Sequence, residues 1–238
     1  MNQQTPTLLM TRPRVQGERF LNQVRSRVNV PAVIAPILDI VLEDVSGQAD
    51  STDTFIFSSE NAVRAYAQSG LYGPTKAFCV GKRTARAAAE LGLDAVSADG
   101  NVEMLEATIK KARPKGKLIY LAGKHVRGSL ELNLTMDGFD VKKIVCYNQV
   151  AQKIDLGAMH VLNQAGRVIV PIFSPRSADL LSDALAQTSA ELDLIFMSDA
   201  VDQAWRGPPG AYEKTVSEPT GVAMLNAICS RVAAPTVA

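Results

Sequence analysis

Two short stretches of the 238-residue chain place polar donors where an apolar run meets a helical pattern. FIFSSENAVRAY (Phe55–Tyr66) carries Ser58, Ser59 and Asn61 at the join. IFSPRSADLL (Ile172–Leu181) carries Ser174, Arg176 and Ser177. A strand running into a helix leaves first-turn N–H groups unpaired, with the positive end of the helix dipole beside them. Hydroxyl, amide and guanidinium groups added there suit an anion. Three further joins share the layout: Gly81-Lys82-Arg83-Thr84 after KAFCV, Gly123 to Arg127 (with Lys124) after KLIYLA, and Thr11 to Arg14 (with Arg12) after TLLM. Gly81 allows close backbone approach and Thr84 can cap. Ser, Thr and Asn are favoured N-caps in any protein, so capping accounts for any single join. Several joins facing one cleft would favour a ligand.

Other chemistries find little support. The chain has no G-x-x-x-x-G-K-[ST], G-x-G-x-x-G or G-x-S-x-G pattern. Cys79, Cys146 and Cys229 are far apart and form no Cys-x-x-Cys pair, so neither zinc nor a disulfide framework is indicated. His125 and His160 lack metal-ligand spacing. His160 reads as a surface helix residue and His125 as a loop residue. The carboxylates are scattered, and most read as solvated helix faces. Tyr147 stands out on an apolar run, either packed in the strand or facing a cleft.

The elements that must position these residues alternate along the chain. Apolar residues make up 47% of it, enough for a substantial core, and the formal charge of +1 disfavours a nucleic-acid surface. The start, MNQQTPTLLMTRP, does not read as a signal peptide. No run approaches the roughly 20 apolar residues of a membrane helix. A cytoplasmic protein, with no membrane or nucleic-acid partner, is expected. Strands are expected at TLLMTR, FIF, KAFCV, KLIYLA, RVIVPIF and DLIFM. Each leads to a helix: ERFLNQVRSR, ENAVRAYAQ, RTARAAAEL, SLELNLTMDG, SADLLSDALA and AVDQAW. Continuous apolar strands alternating with helices imply parallel sheets.

Segments also resemble one another. FIFSSENAVRAYAQSG resembles VPIFSPRSADLLSDAL, and KLIYLAGKHVRGSLELNL resembles TLLMTRPRVQGERFLNQV. Their order is scrambled, which an inserted domain explains better than a tandem repeat. The expected fold is α/β: two parallel-sheet domains of similar topology, one inserted in the other. The first takes residues 1–38 and 153–238, the second residues 39–152. ILDIVLEDV (Ile37–Val45) and KIVCYNQVAQKI (Lys143–Ile154) are the two crossings, expected to pair as a two-stranded connector. Ser46–Asp53 reads as a loop or short helix, and the C-terminal tail as frayed.

The ordered set LLMTRP, FIFSSENAVRAY, FCVGKRTARAAAELG, KLIYLAGKHVRGSLELNL, GFDVKKIVCYNQV and IFSPRSADLL resembles the uroporphyrinogen-III synthase family over nearly the whole chain. Each segment is weak alone, and their order and spacing together are specific. The resemblance implies two α/β domains on a two-stranded connector with the active site in the cleft between them, and no metal or organic cofactor. It implies a carbon–oxygen lyase: hydroxymethylbilane loses water, closes and inverts ring D to give uroporphyrinogen III. The substrate carries an acetate and a propionate on each ring, so many dispersed donors would suit it. Tyr147 matches the tyrosine of the connector motif, the family's favoured proton donor to the leaving hydroxyl. Ser58, Ser59, Asn61, Gly81, Lys82, Thr84 and Lys124 become candidate carboxylate contacts of one domain. Arg12, Ser174, Arg176 and Ser198 become those of the other. A monomer that receives substrate from hydroxymethylbilane synthase is expected.

The chain departs from the family pattern in places. Ser58-Ser59 stands where the family often has Thr-Ser. FMSDAVDQAW replaces a glycine and threonine turn, and its Asp199 would repel carboxylates. WRGPPGAYEKTV is also unlike the family. The competing readings are a two-lobed cytoplasmic binding protein for a small anion, without catalysis, and a two-domain regulator with a degenerate site.

Overall fold

The computed structural model describes residues 5–45, 53–69, 76–126 and 128–234. Most of Ser46–Asp53, the tail from residue 235 and Arg127 lie outside the described residues. The chain runs β1 (Thr7–Met10), α1 (Arg14–Arg25), β2 (Ala32–Ile34), β3 (Leu38–Leu42), β4 (Thr54–Phe57), α2 (Glu60–Gln68), β5 (Lys76–Cys79) and α3 (Lys82–Ala89). It continues through β6 (Asp94–Ser97), α4 (Val102–Ala112), β7 (Leu118–Gly123), α5 (Leu130–Met136), β8 (Val141–Ala151) and α6 (Leu156–Gln164). It ends with β9 (Arg167–Ile172), α7 (Pro175–Ala184), β10 (Glu191–Phe196), α8 (Asp199–Asp202), β11 (Tyr212–Thr215) and α9 (Gly221–Ala233).

The α/β expectation is met: strands alternate with helices, and the sheets are dominated by parallel pairs. One sheet has the order β11-β10-β9-β1-β2 and the other β3-β8-β7-β4-β5-β6. All neighbours from β11 to β2, and from β8 to β6, are parallel. Among the described residues, only β3 runs against its neighbour. Glu43 N–H donates to the Cys146 carbonyl at 2.9 Å, and Gln152 N–H to the Ile37 carbonyl at 2.8 Å. By contact the chain divides into two compact units, Met1–Asp39 with Val150–Ala238, and Ile40–Gln149. The divisions fall inside β3 and β8.

The two sheets follow one path from different starting points. In the second unit the chain begins in the middle at β4 and steps out through β5 and β6. It then returns to the other side of β4 for β7 and β8. In the first unit the same path begins at β9 and steps out through β10 and β11, and its last two strands are β1 and β2 from the amino-terminal part of the chain. The scrambled order of similar segments follows from this.

Helices cover both faces of each sheet, which is why the central strands are apolar throughout. In the second unit α2 and α3 pack on the face holding Phe55, Phe57, Ile119 and Leu121, and α4 and α5 on the face holding Ile56, Leu118 and Tyr120. In the first unit α6 and α7 cover Leu9, Val170 and Leu194, while α1 and α9 cover Leu8, Met10 and Ile195. Among the described residues six elements had no expected span: β2, β6, α4, α6, β11 and α9, of which α6 was signalled only by reading His160 as a helix residue. β6 and β11 are edge strands with part-exposed residues and little apolar run. For α4 and α9 a signal was present. Asn101 and Thr220 each accept a first-turn N–H as N-caps, ahead of Leu105/Ile109 and Met224/Leu225/Ile228 on buried faces.

Asp193, inside β10, is fully buried. It accepts from Arg167 Nε at 2.6 Å and from Arg231 Nε and Nη2, each at 2.9 Å. Arg231 also lies over the Tyr212 ring, 4.3 Å from its centroid. A carboxylate between two guanidiniums tolerates burial that would otherwise cost several kcal/mol. The cluster ties α9 to β9 and β10.

Candidate active site

In open parallel sheets ligands bind outside the carboxyl ends of the strands, where the strand order reverses. In the second unit that reversal lies between β4 and β7. Ser58 and Ser59 follow β4 directly, and Lys124 follows β7. In the first unit it lies between β9 and β1. Ser174 follows β9, and Thr11 and Arg12 follow β1. Both pairs of joins singled out in the sequence thus stand at reversal points. Gly81, Lys82 and Thr84 follow β5, and Ser198 follows β10, one strand further out in each sheet.

Ser59 is the N-cap of α2, and its hydroxyl oxygen accepts the Asn61 N–H at 3.1 Å. Such a cap contributes about 1 kcal/mol. The Asn61 side chain is buried. The Ser58 hydroxyl lies 3.1 Å from the Tyr120 hydroxyl. Tyr147 is buried and hydrogen-bonded to Ser59. Strand alternation alone would turn Tyr147 with Val145, which is exposed. A bulge intervenes: Ala122 pairs with Val145 and Gly123 with Tyr147, so Cys146 is the extra residue. Ile144, Cys146 and Tyr147 therefore all reach the cluster that holds Phe57. The Lys124 N–H donates to the Tyr147 carbonyl at 2.9 Å, fixing the strand there. The Lys124 side chain is exposed.

Burial pushes the pKa of Tyr147 above the ordinary tyrosine value, and its hydrogen bond with Ser59 offsets part of that. Tyr120 shifts the same way, with Ser58 as the offset. Both remain neutral phenols, able to donate a proton at neutral pH. Cys79 and Cys146 are buried and pushed up to about 12, so neither is a ready thiolate.

At the β5 join Gly81 is the N-cap of α3 with an extended backbone, and an added Cβ would meet nothing within 4 Å. Lys82 is exposed, with its ammonium 3.5 Å from Asp99. A hydrogen bond from Ser97, and then the Lys82 charge, hold the Asp99 carboxyl below its usual range. Thr84 does not cap. It is the third residue of α3 and is buried, because the helix begins at Lys82.

In the first unit the Arg12 guanidinium lies over the Phe173 ring at 4.4 Å and near Phe20 at 5.7 Å. Such contacts contribute about 0.5–2 kcal/mol each and hold the charge in place. Ser174 caps α7, accepting the Ser177 N–H at 3.1 Å, with the two hydroxyls 2.8 Å apart. Pro175 at the first helical position suits that start. Arg176 is half-buried in the same turn. Ser198 precedes the short α8 without a side-chain cap bond, and the neighbouring Asp199 is exposed. His125 and His160 are both exposed, His160 on α6. Sequence reasoning missed Tyr120. The available signal was a lone phenol in an aliphatic strand, which needs a hydrogen-bond partner when buried.

Residues 26–202 match the family model described as Uroporphyrinogen-III synthase HemD. The chain belongs to the uroporphyrinogen-III synthase family. Its fold is similar to the crystal structure of uroporphyrinogen-III synthetase from Helicobacter pylori, with a TM-score of 0.62 and 16% identity, covering 95% of this chain and 99% of that one. It is also similar to a mutant uroporphyrinogen III synthase from the extremely thermophilic bacterium Thermus thermophilus, with a TM-score of 0.53 and 16% identity, covering 95% and 98%. No curated protein matches the chain by sequence. Uroporphyrinogen-III synthases are cyclising lyases of tetrapyrrole biosynthesis, and the chain is an enzyme of this family acting on a tetrapyrrole substrate. Among the described residues, no helix is long and apolar enough to cross a membrane, and no group of His, Cys, Asp or Glu could hold a metal ion.

Proposed function

We propose that this synthase cyclises hydroxymethylbilane to uroporphyrinogen III, with loss of water and inversion of ring D, by holding substrate carboxylates at its donor-bearing joins. One observation carries the assignment of residues: hydroxyl and cationic side chains follow the strands that flank the reversal point of each sheet. In the second unit the donors are Ser58, Ser59, Asn61, Lys82 and Lys124, with the open backbone at Gly81. In the first they are Arg12, Ser174 and Arg176. Thr84 contributes by packing and Ser198 is a weaker contact beside Asp199. Dispersed donors of this kind bind a polyanion while the net charge stays at +1.

Tyr147 donates its phenol proton to the leaving hydroxyl, which departs as water. The resulting azafulvene cation on ring A joins the substituted carbon of ring D. The spiro intermediate fragments and recloses with ring D inverted. The proton lost from ring D as it becomes aromatic again returns the phenolate to phenol. Most of the task is holding the reacting atoms in place and shielding the cation.

The same reading makes β3 and β8 the connector, with residues 39–152 inserted between the two parts of the other domain. A cytosolic monomer taking substrate from hydroxymethylbilane synthase fits a substrate that otherwise closes to the uninverted isomer. The test is incubation with fresh hydroxymethylbilane, then oxidation and isomer analysis. Uroporphyrin III is expected, and uroporphyrin I alone overturns the reading.

A further inference from the structure

Successive residues of a strand point to opposite faces of the sheet. Ser58 and Ser59 prolong that alternation beyond β4. Ser58 shares the face of Ile56 and meets Tyr120, while Ser59 shares the face of Phe57 and meets Tyr147. The join is thus flanked by two buried phenols, one on each side of the sheet. Only one of them, Tyr147, has a place in the reaction described above.

We propose that Tyr120 is a positioning residue for the reaction, fixing the Ser58 hydroxyl as a hydrogen-bond donor to a substrate carboxylate. This rests on the function proposed above. A phenol is a stronger donor and a weaker acceptor than an aliphatic hydroxyl. With 3.1 Å between the oxygens, the favoured order is Tyr120 O–H to Ser58 Oγ. The single proton of Ser58 is then turned away from the core, toward the carboxyl end of β4. Tyr120 is 3% exposed, so its own hydroxyl has little access to solvent and its direction is fixed by Ser58. Burial also keeps it protonated through neutral pH. Donor chains of this sort strengthen each link. On the opposite face Ser59 Oγ accepts the Asn61 N–H at 3.1 Å, and Tyr147 is hydrogen-bonded to the same serine. Tyr120 thereby makes Ser58 a binding donor at the join beside which Tyr147 stands.

The experiment is a double-mutant cycle of Tyr120→Phe with Ser58→Ala, in the full chain with hydroxymethylbilane, with melting followed in parallel. Tyr120→Phe removes only the hydroxyl. It is expected to raise KM roughly three- to tenfold, the scale of one oriented hydrogen bond. Turnover should stay within about twofold, as for loss of uniform binding, and the product should remain type III. In the Ser58→Ala background the same change should add nothing, and in Ser58→Thr, which keeps a hydroxyl, the penalty should return. A wild-type KM in Tyr120→Phe, or an equal penalty in the Ser58→Ala background, overturns the positioning role while leaving the function intact. A Tyr120→Phe protein that does not fold makes Tyr120 a core residue only and also overturns it. A wild-type chain that forms no type III product overturns both readings.

Discussion

Gly123 has no side chain where the ring of Tyr147 lies. A Cβ built on Gly123 would fall 2.5 Å from Cζ of Tyr147 and 2.8 Å from its hydroxyl oxygen. The two residues are register partners across the β7–β8 bulge. The bulge turns the phenol inward and the glycine gives it room. The position of Tyr147 is thus set by a backbone irregularity on its own strand and by a missing side chain on the next.

Gly123→Ala is therefore expected to displace the phenol. The ring belongs to the buried cluster with Phe57 and Cys146 and cannot swing freely. Overpacking should cost about 1–3 kcal/mol in urea unfolding. Turnover should fall at least as far as in Tyr147→Phe. Gly81→Ser is the contrast: its backbone is extended, the space is open and serine is a good N-cap. Its stability should be unchanged or raised by about a few tenths of a kcal/mol. Equal effects at the two glycines would remove the steric argument.

Tyr147→Phe should lower turnover roughly ten- to hundredfold, at or below the lower end of general-acid contributions. The product should remain type III, because folding of the substrate does not depend on the phenol. Unchanged turnover together with an unchanged isomer ratio would exclude Tyr147 from the mechanism. The pH dependence has a definite sign. Burial raises the folded pKa of Tyr147 above 10.0, so the acid form persists past the ordinary tyrosine range. Activity owed to Tyr147 should be flat through pH ~9 and decline only above ~10. Stability follows the same linkage. Tyr66, Tyr120 and Tyr147 are raised by burial, and Cys79 and Cys146 move from 9.0 to about 12. Their contribution is complete below the unfolded values and is lost as pH rises through the folded ones. The urea midpoint should fall between pH 9 and pH 12, where these groups lie.

Asp193→Asn should destabilise the protein by about 3–5 kcal/mol, because it leaves Arg167 and Arg231 facing each other without the carboxylate between them. KM of the folded fraction should not change, since Asp193 lies within β10 and not at its carboxyl end. Urea unfolding alongside steady-state kinetics checks both. A small stability loss with a raised KM would move Asp193 from the framework to the site.

Much of the fold is legible because its strands are buried on both faces. FIF, KLIYLA and RVIVPI read as strands without knowledge of their partners, and SSEN and SPRS announce helix starts. The edge strands β6 and β11 lack that signal, since half their residues face water. α4 was readable from Asn101 with Leu105 and Ile109. The candidate site is legible to the level of its joins. The face to which Tyr147 turns is not, because the bulge at Ala122/Gly123 leaves no mark in composition or periodicity. Asp193 misleads for a related reason. A carboxylate in DLIFM looks like a strand boundary until Arg167 and Arg231, 26 and 38 residues away, are placed beside it.

Lys82 separates binding from stability. Its ion pair with Asp99 is exposed on both sides, so Lys82→Ala should change stability by no more than about 0.5 kcal/mol. If the β5 join meets a carboxylate of the substrate, the same change should raise KM by roughly two- to tenfold at low salt. The difference should shrink as added salt screens an exposed charge. Asp99→Asn should act with the opposite sign. It removes the negative charge that Lys82 now faces at 3.5 Å, which leaves the ammonium free for the polyanion and lowers KM. Measuring KM for both variants across a salt series gives two slopes of opposite direction. Two flat lines would place substrate binding at the reversal-point joins alone, with Lys82 outside it.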